Sequence, residues 1–475
     1  MALVVPGRHV LDVTTMDGTR RYQGKRQVEN ALAHLSTHVV YTMGSLTSMK
    51  ETTGALQWTC HTWRGRGTRI VHDVSGTTVT SLRGTLNGSP CPFEDLLVVL
   101  DWLREYMVPP ASISTMAWNL WRASLRRPVR IGADPDITRP ALFGGRQEVR
   151  EVRTYQHMAC ADITAAYPTA MAQGTYGLSL RPVSPSTALD PTVSGISRAT
   201  VVVPNELTYG PLPYRHANTV VQFPRGQFSG TWTWCELDAA KEVGCTVVVR
   251  ESWAPRATAD LFGTWWAMVA RGRALPGAAG VLAKSLANSL WGQFAMDGSD
   301  RGILRWADDQ GERPFQLELE PRNLPHRWCV HIAAETTARV RSRLLLEGIY
   351  GSGPGHPVHV DTDGIIVRKS NAVPQPAGPE PGHWRIKAAM RKVDVRAPQL
   401  YRWSCDDCGK SHPEWHYVAS GVADGLAPLL FNRAGHLGTK IAYHHVLDAV
   451  IPTTHIADRE TISRYVTEAK ELMRC

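Results

Sequence analysis

The chain has 475 residues, 43% of them hydrophobic and 20% charged, with a net charge of +9 and an isoelectric point near 9.1. That length exceeds one hydrophobic core and suits two to four domains. Nine cysteines, odd in number and mostly isolated, exclude a secreted disulfide framework, and no stretch reaches the roughly 18 apolar residues of a membrane span.

Charges come early and the first apolar run is only Ala2 to Val5, so no signal peptide is expected and a cytoplasmic protein is. The basic excess suits a polyanionic partner, because Lys and Arg on phosphates release condensed counterions. Over residues 1–130 short β-like runs are predicted at Val10–Thr15, Thr37–Met43 and Thr77–Leu82. One helix, Phe93 to Met107, follows Pro92 and carries Glu94 and Asp95 in its first turn. Residues 184–195 read as a loop, rich in Pro, Ser, Thr and Gly. Helical patterns cover 258–295, broken near Pro276–Gly280, and 328–349. Val358 to Val367 reads as a β-hairpin with Asp-Thr-Asp-Gly at its tip, and the Pro/Gly-rich stretch 371–382 as a linker before a C-terminal module. There is no fixed-period repeat and no Walker loop, which sets aside a P-loop motor.

Three segments carry candidate chemistry. In His359-Val-Asp361-Thr-Asp363-Gly, alternation along a strand puts Asp361 and Asp363 on one face, where a cation would relieve their repulsion. The same four residues are also ordinary turn chemistry. Asp162 ends a β-like run before Tyr167-Pro168; it suits a third carboxylate ligand, with the Ile163 carbonyl beside it, or a plain helix N-cap. On a helix, Lys284, Asn288 and Trp291 fall at i, i+4 and i+7, a polar stripe for triphosphate and base contacts that Arg271 and Arg273 could join. An ordinary amphipathic helix with a solvated lysine reads the same way.

In this order the segments resemble the three motifs of family-B DNA polymerases: Asp-x-x-Ser-Leu-Tyr-Pro, Lys-x-x-x-Asn-Ser-x-Tyr-Gly and Tyr-x-Asp-Thr-Asp-Ser. Residues 282–295 are similar to the fingers helix of the compact, protein-primed phage and plasmid branch. The resemblance covers about residues 140–425. It implies an α+β right-hand polymerase: 1–130 a degenerate exonuclease-like α/β domain, 131–250 palm with an insertion, 251–295 fingers, 296–395 palm again, and 396–475 thumb. It implies template-directed addition of dNTPs to a primer 3′-OH, with two Mg²⁺ or Mn²⁺ ions held by Asp162, Ile163, Asp361 and Asp363. Lys284, Asn288, Arg271, Arg273 and Tyr167 would meet the nucleotide, Tyr167 as the gate against a 2′-OH. Phe143, Gly144, Gly145, Arg146, Trp291, Gly292 and Tyr401 would meet DNA.

The pattern is departed from at His359, Gly364, Trp291, Thr164, Ala165 and Ala166, and at Gln399, which stands for the lysine of the family's primer-holding Lys-x-Tyr segment. In the exonuclease region Asp12 remains but Thr14 replaces a glutamate, and Cys91 replaces a tyrosine ahead of Asp95, so either an exonuclease-like domain that has lost editing is expected or an unrelated DNA-binding module in which Asp12 and Asp95 are turn and cap residues. Cys405-x₂-Cys408 with His412 and His416 offers a structural zinc set or two free thiols on a bare hairpin. A monomer working on primer–template DNA in a bacterial host is implied, with a terminal-protein primer as the branch's habit and room for that branch's insertions at 176–250 and 296–327. A primase-like enzyme on the same site, or a non-catalytic replication scaffold, are the rival readings.

Overall fold

The computed structural model describes residues 2–7, 10–15, 18–23, 27, 40–42, 58–63, 67–72, 78–81, 93–108, 113–125, 135–215, 221–295, 301–306, 315–320, 329–353, 355–371, 373–405 and 415–419. The chain divides into two compact units, Met1–Arg130 with Asp260–Gln293, and Ile131–Ala259 with Phe294–Cys475.

The first unit holds a seven-stranded mixed sheet of β1 (Ala2–Gly7), β2 (Val10–Thr15), β3 (Gly18–Gln23), β4 (Val40–Thr42), β5 (Trp58–Trp63), β6 (Gly67–His72) and β7 (Thr78–Ser81). The order is β3-β2-β1-β4-β7-β6-β5, with β1, β4 and β7 parallel at the centre. The three predicted strand runs fall on β2, β4 and β7, and Asp12 pairs in register with Arg21. The predicted helix runs Phe93–Arg104. A second helix, Ile113–Ser124, was not expected; it buries Met116, Ala117, Leu120 and Trp121 at helical spacing. Trp121 donates from its indole to the Leu261 carbonyl at 2.9 Å and stacks on Phe262, which ties this helix to the one at Gly263–Arg273. The expected break at Pro276–Gly280 separates that helix from Gly277–Phe294.

The second unit is built on another seven-stranded sheet, from β8 (Arg146–Val149) and β9 (Thr154–Ile163) through β16 (His359–Thr362), β17 (Gly364–Arg368), β18 (Trp384–Ala397), β19 (Leu400–Ser404) and β20 (His416–Ala419). Strand β9 lies between β17 and β18. Ile365, Ile366 and Val367 are all buried in β17, as a central strand covered on both faces requires. The helix Val330–Arg343, continued as a π-helix over Leu344–Tyr350, packs Val340, Leu344, Leu345 and Ile349 against Ala161, Ile163, Val360 and Trp384. Gly348 permits this approach: a Cβ there would meet the Trp384 ring at 2.8 Å.

Between these elements lies a four-stranded antiparallel sheet in the order β10-β13-β11-β12: β10 (Tyr176–Val183), β11 (Ile196–Val203), β12 (Gly226–Thr233) and β13 (Thr246–Ala259). It occupies the stretch where an insertion was expected. The second stretch of that kind holds the hairpin β14 (Arg301–Trp306) and β15 (Phe315–Glu320). Residues 371–382 are not a spacer between modules. Their backbone is bonded to the start of β18 and to the residue after β9: Trp384 N–H to the Pro376 carbonyl at 2.8 Å, and Gly382 N–H to the Thr164 carbonyl at 2.6 Å.

Candidate polymerase active site

Two strand pairings assemble the acidic centre. In the hairpin β16–β17, Asp361 pairs with Gly364 across a two-residue turn of Thr362 and Asp363. Strand β17 then lies on β9 with Gly364 opposite Asp162. The Ile163 N–H donates to the Asp363 carbonyl at 2.9 Å, so the end of β9 is stitched to the hairpin tip. Two segments about 200 residues apart in sequence thereby bring Asp162, Asp361 and Asp363 together.

The turn is held in a costly shape. Thr362 has φ +61°, a left-handed conformation that a β-branched residue rarely adopts. Its side chain lies over Gly145, where a Cβ would come within 2.9 Å of Thr362 Cγ2 and 3.1 Å of Tyr167 Oη. The Gly-Gly segment, the hairpin tip and Tyr167 therefore meet at one point. Arg341 fixes that segment from beneath: it donates to the carbonyls of Phe143 and Gly144 at 2.7 and 2.6 Å and pairs with buried Glu236 at 2.8 Å.

The electrostatics follow from this crowding. Burial, then Asp162, then Asp361 push the Asp363 carboxyl up to about 6, with Lys387 pulling the other way. Asp162 accepts from Arg385 Nε at 2.9 Å and lies 3.6 Å from Lys387 Nζ. Burial, followed by Asp363, raises the Tyr167 phenol above its ordinary range. His359 is buried and held down to about 4, so it is neutral at pH 7, and burial drives the Cys160 thiol to about 11. Among the described residues no three His, Cys, Asp or Glu side chains are grouped so that they could hold a metal ion by themselves. The donor set still fits magnesium or manganese: these ions take a few carboxylates and complete their shells with water and phosphate. Carboxylates that raise one another's pKa lose that penalty beside a cation.

The other sequence-derived residues fall out differently. Arg146 is fully buried, paired with Glu148 and covered by the Phe223 ring at 4.1 Å, and Phe143 is buried too. Those two side chains face the core, which corrects the expectation that they meet DNA; only Gly144 of the segment is exposed. Tyr401 is likewise buried, its ring edge-on to His359 at 5.0 Å. On the helix Gly277–Phe294, Lys284 and Asn288 are exposed, Trp291 and Gly292 half-buried, and Leu282, Ala283, Leu286, Ala287 and Leu290 form the inner face. Arg271 is committed to Glu105 at 2.7 Å and to the Tyr106 hydroxyl at 2.6 Å; Arg273 is half-buried. Sequence reasoning missed Arg385, Lys387 and Arg341. Arg385 pairs with Asp162 across the β18–β9 ladder and Lys387 lies two residues further along β18, so their place beside Asp162 could have been inferred only once β9 was known as the neighbour. Cys405 Sγ lies 3.7 Å from His416 Nε2, whereas Cys408 and His412, like Cys91, lie outside the described residues. The side chains of Asp12 and Asp95 lie outside them as well.

Residues 110–317 match the family described as DNA polymerase type B, organellar and viral. No curated protein matches the sequence. Among solved structures, Phi29 DNA polymerase complexed with primer-template DNA and incoming nucleotide substrates is similar with a TM-score of 0.65 and 11% identity, covering 90% of this chain and 93% of that one. Phi29 DNA polymerase complexed with single-stranded DNA gives 0.61 and 11%, with the same coverage. The α+β right-hand polymerase fold expected from the sequence is thus present. Residues 110–317 of the chain thus match the type-B DNA polymerase family, and the fold is similar to that of Phi29 DNA polymerase over 90% of the chain.

Proposed function

We propose that the chain extends a primer 3′-OH with deoxynucleotides along a DNA template, by phosphoryl transfer at Asp162, Asp361 and Asp363. The observation that carries this reading is the pairing of Gly364 with Asp162, which gathers three carboxylates at one sheet end. The three side chains, with the Ile163 carbonyl, would hold two Mg²⁺ or Mn²⁺ ions. Such ions, when bound, neutralise the attacking and leaving oxygens of the transfer. Tyr167, wedged against Gly145 with its hydroxyl kept protonated, is the gate that excludes a 2′-OH. Lys284 takes the triphosphate charge, aided by Arg273, and by Arg271 when it leaves Glu105; Asn288 reads the sugar and base edge. Exposed Gly144 and the half-buried Trp291 and Gly292 are the DNA contacts of this proposal.

Residues 1–130 are read as an exonuclease-like domain without editing, 131–250 and 296–395 as palm, 251–295 as fingers and 396–475 as thumb. Synthesis in a bacterial host, on phage or mobile-element DNA, primed by a terminal protein and carried out by a monomer, completes the reading. The test is extension of a labelled primer–template with dNTPs or rNTPs and Mg²⁺. Wild type extends with dNTPs only, and Asp361→Asn falls by at least about a thousandfold. An inactive wild type supports the scaffold instead, rNTP use overturns the Tyr167 gate, and product without primer supports a primase-like enzyme.

A structural zinc at Cys405 and His416, completed by Cys408 and His412, is a separate proposal. It is supported by the 3.7 Å approach of sulfur to nitrogen, close to what two ligands of one tetrahedral ion require. One equivalent of zinc by elemental analysis, lost in Cys405→Ser, is the expected result; none in the wild type rejects it.

A further inference from the structure

The turn between β18 and β19 reaches back to the catalytic hairpin through one residue. Gln399 has φ +61°, and this left-handed backbone turns both its N–H and its side chain toward β16. The N–H donates to His359 Nε2 at 3.2 Å, and Nε2 of the amide donates to Asp361 Oδ1 at 3.1 Å. Thr362 Oγ1 donates to the same carboxylate oxygen at 3.0 Å. Oδ1 thus carries two neutral donors, while Oδ2 has no such bond among the described residues. His359 is 1% exposed and its ring meets Tyr401 edge-on, so the group that receives the Gln399 backbone is itself fixed.

We propose that Gln399 is a positioning residue for Asp361: it holds the carboxylate plane by one oxygen and leaves the other directed to a divalent cation. This rests on the polymerase reading above and deepens it. A cation at position 399 would pair with Asp361 and compete with the ion, whereas a neutral amide donor orients the carboxylate without cancelling its charge. His359 serves the same end, since a histidine nitrogen can accept the turn's N–H and a phenol ring has no acceptor at that point. The pair His359 and Gln399 is therefore one device, joining the turn before Tyr401 to the metal-holding hairpin.

The test compares wild type, Gln399→Met and Gln399→Lys. Methionine keeps the length of the side chain and the backbone strain but removes the donor. Two readouts are taken: Mn²⁺ binding by electron paramagnetic resonance without DNA or nucleotide, and the Mg²⁺ and primer–template concentrations for half-maximal extension. Gln399→Met should weaken Mn²⁺ binding and raise the Mg²⁺ requirement about three- to tenfold, with the primer–template KM unchanged. Gln399→Lys should raise the Mg²⁺ requirement further. The proposal fails if Gln399→Met leaves both metal readouts at wild-type values. It fails too if Gln399→Lys lowers the primer–template KM at an unchanged Mg²⁺ requirement, since position 399 would then be a strand contact. Wild type that neither binds Mn²⁺ nor extends a primer removes the polymerase reading itself, and this inference with it.

Discussion

At the residue scale, Asp363 and Gly145 carry the sharpest consequences. The folded pKa of Asp363 is raised from an ordinary 3.8 to about 6, so the metal-free fold prefers its protonated form. That preference stabilises fully below the unfolded pKa and is lost as pH rises through about 6. Metal-free protein should therefore lose on the order of 1 kcal/mol of unfolding free energy from this group between pH 5 and 7. Urea titrations in EDTA at the two pH values check it; Asp363→Asn should flatten that slope, and an unchanged slope would reject the assignment. For Gly145→Ala the added methyl meets Thr362 and Tyr167, whose hydroxyl is already within 3.1 Å of its position. The hairpin tip must shift, and extension should fall by about ten- to a hundredfold while the thermal midpoint moves little.

At the scale of elements, the helix Val330–Arg343 is the support on which the site rests. Eleven of its fourteen residues are buried, among them His331, Glu335 and Arg341. Burying such groups is tolerable only because each has a partner: Glu335 with Arg339 at 2.8 Å, Arg341 with Glu236, and His331 Nε2 on the Gly177 carbonyl at 2.7 Å. Arg341→Met would strand the Glu236 carboxylate and leave the carbonyls of Phe143 and Gly144 without their donor. A loss of about 3–5 kcal/mol in chemical denaturation is expected, with much smaller loss in the double variant Arg341→Met, Glu236→Leu. Equal losses in the two would mean that the ion pair is not what stabilises this corner.

For the whole molecule, the net charge of +9 is the relevant quantity. If the chain works on nucleic acid, its affinity for a primer–template should fall linearly with salt on logarithmic axes, with a slope steeper than about −5. Fluorescence anisotropy between 50 and 300 mM salt measures it, and a flat dependence would contradict a phosphate-tracking surface. Among the described residues no helix is long and apolar enough to cross a membrane.

Local pattern was enough to locate the acidic hairpin, the helix Gly277–Phe294 and its break from the one before, and the long helix from Val330. Each is set by contacts a few residues apart: strand alternation, helical periodicity and a proline–glycine interruption. The strands at Ile196–Val203 and Thr246–Ala259 were legible in principle from their valine runs. They escaped notice because a stretch free of chemical motifs reads as filler. The burial of Arg146 and Tyr401 depended on which strand became whose neighbour, and so did the capture of Asp162 by Arg385 and Lys387 and the reach of Gln399 to Asp361. Those partners lie 38 to 225 positions apart, and an isolated arginine on a strand looks the same whether a core or a solvent layer covers it. The residues proposed for the chemistry were thus legible in the sequence alone. Which of them meet, and which charges are already answered, was decided by the pairing of β9 with β17 and β18, because burial and Coulomb interaction act through space and not along the chain.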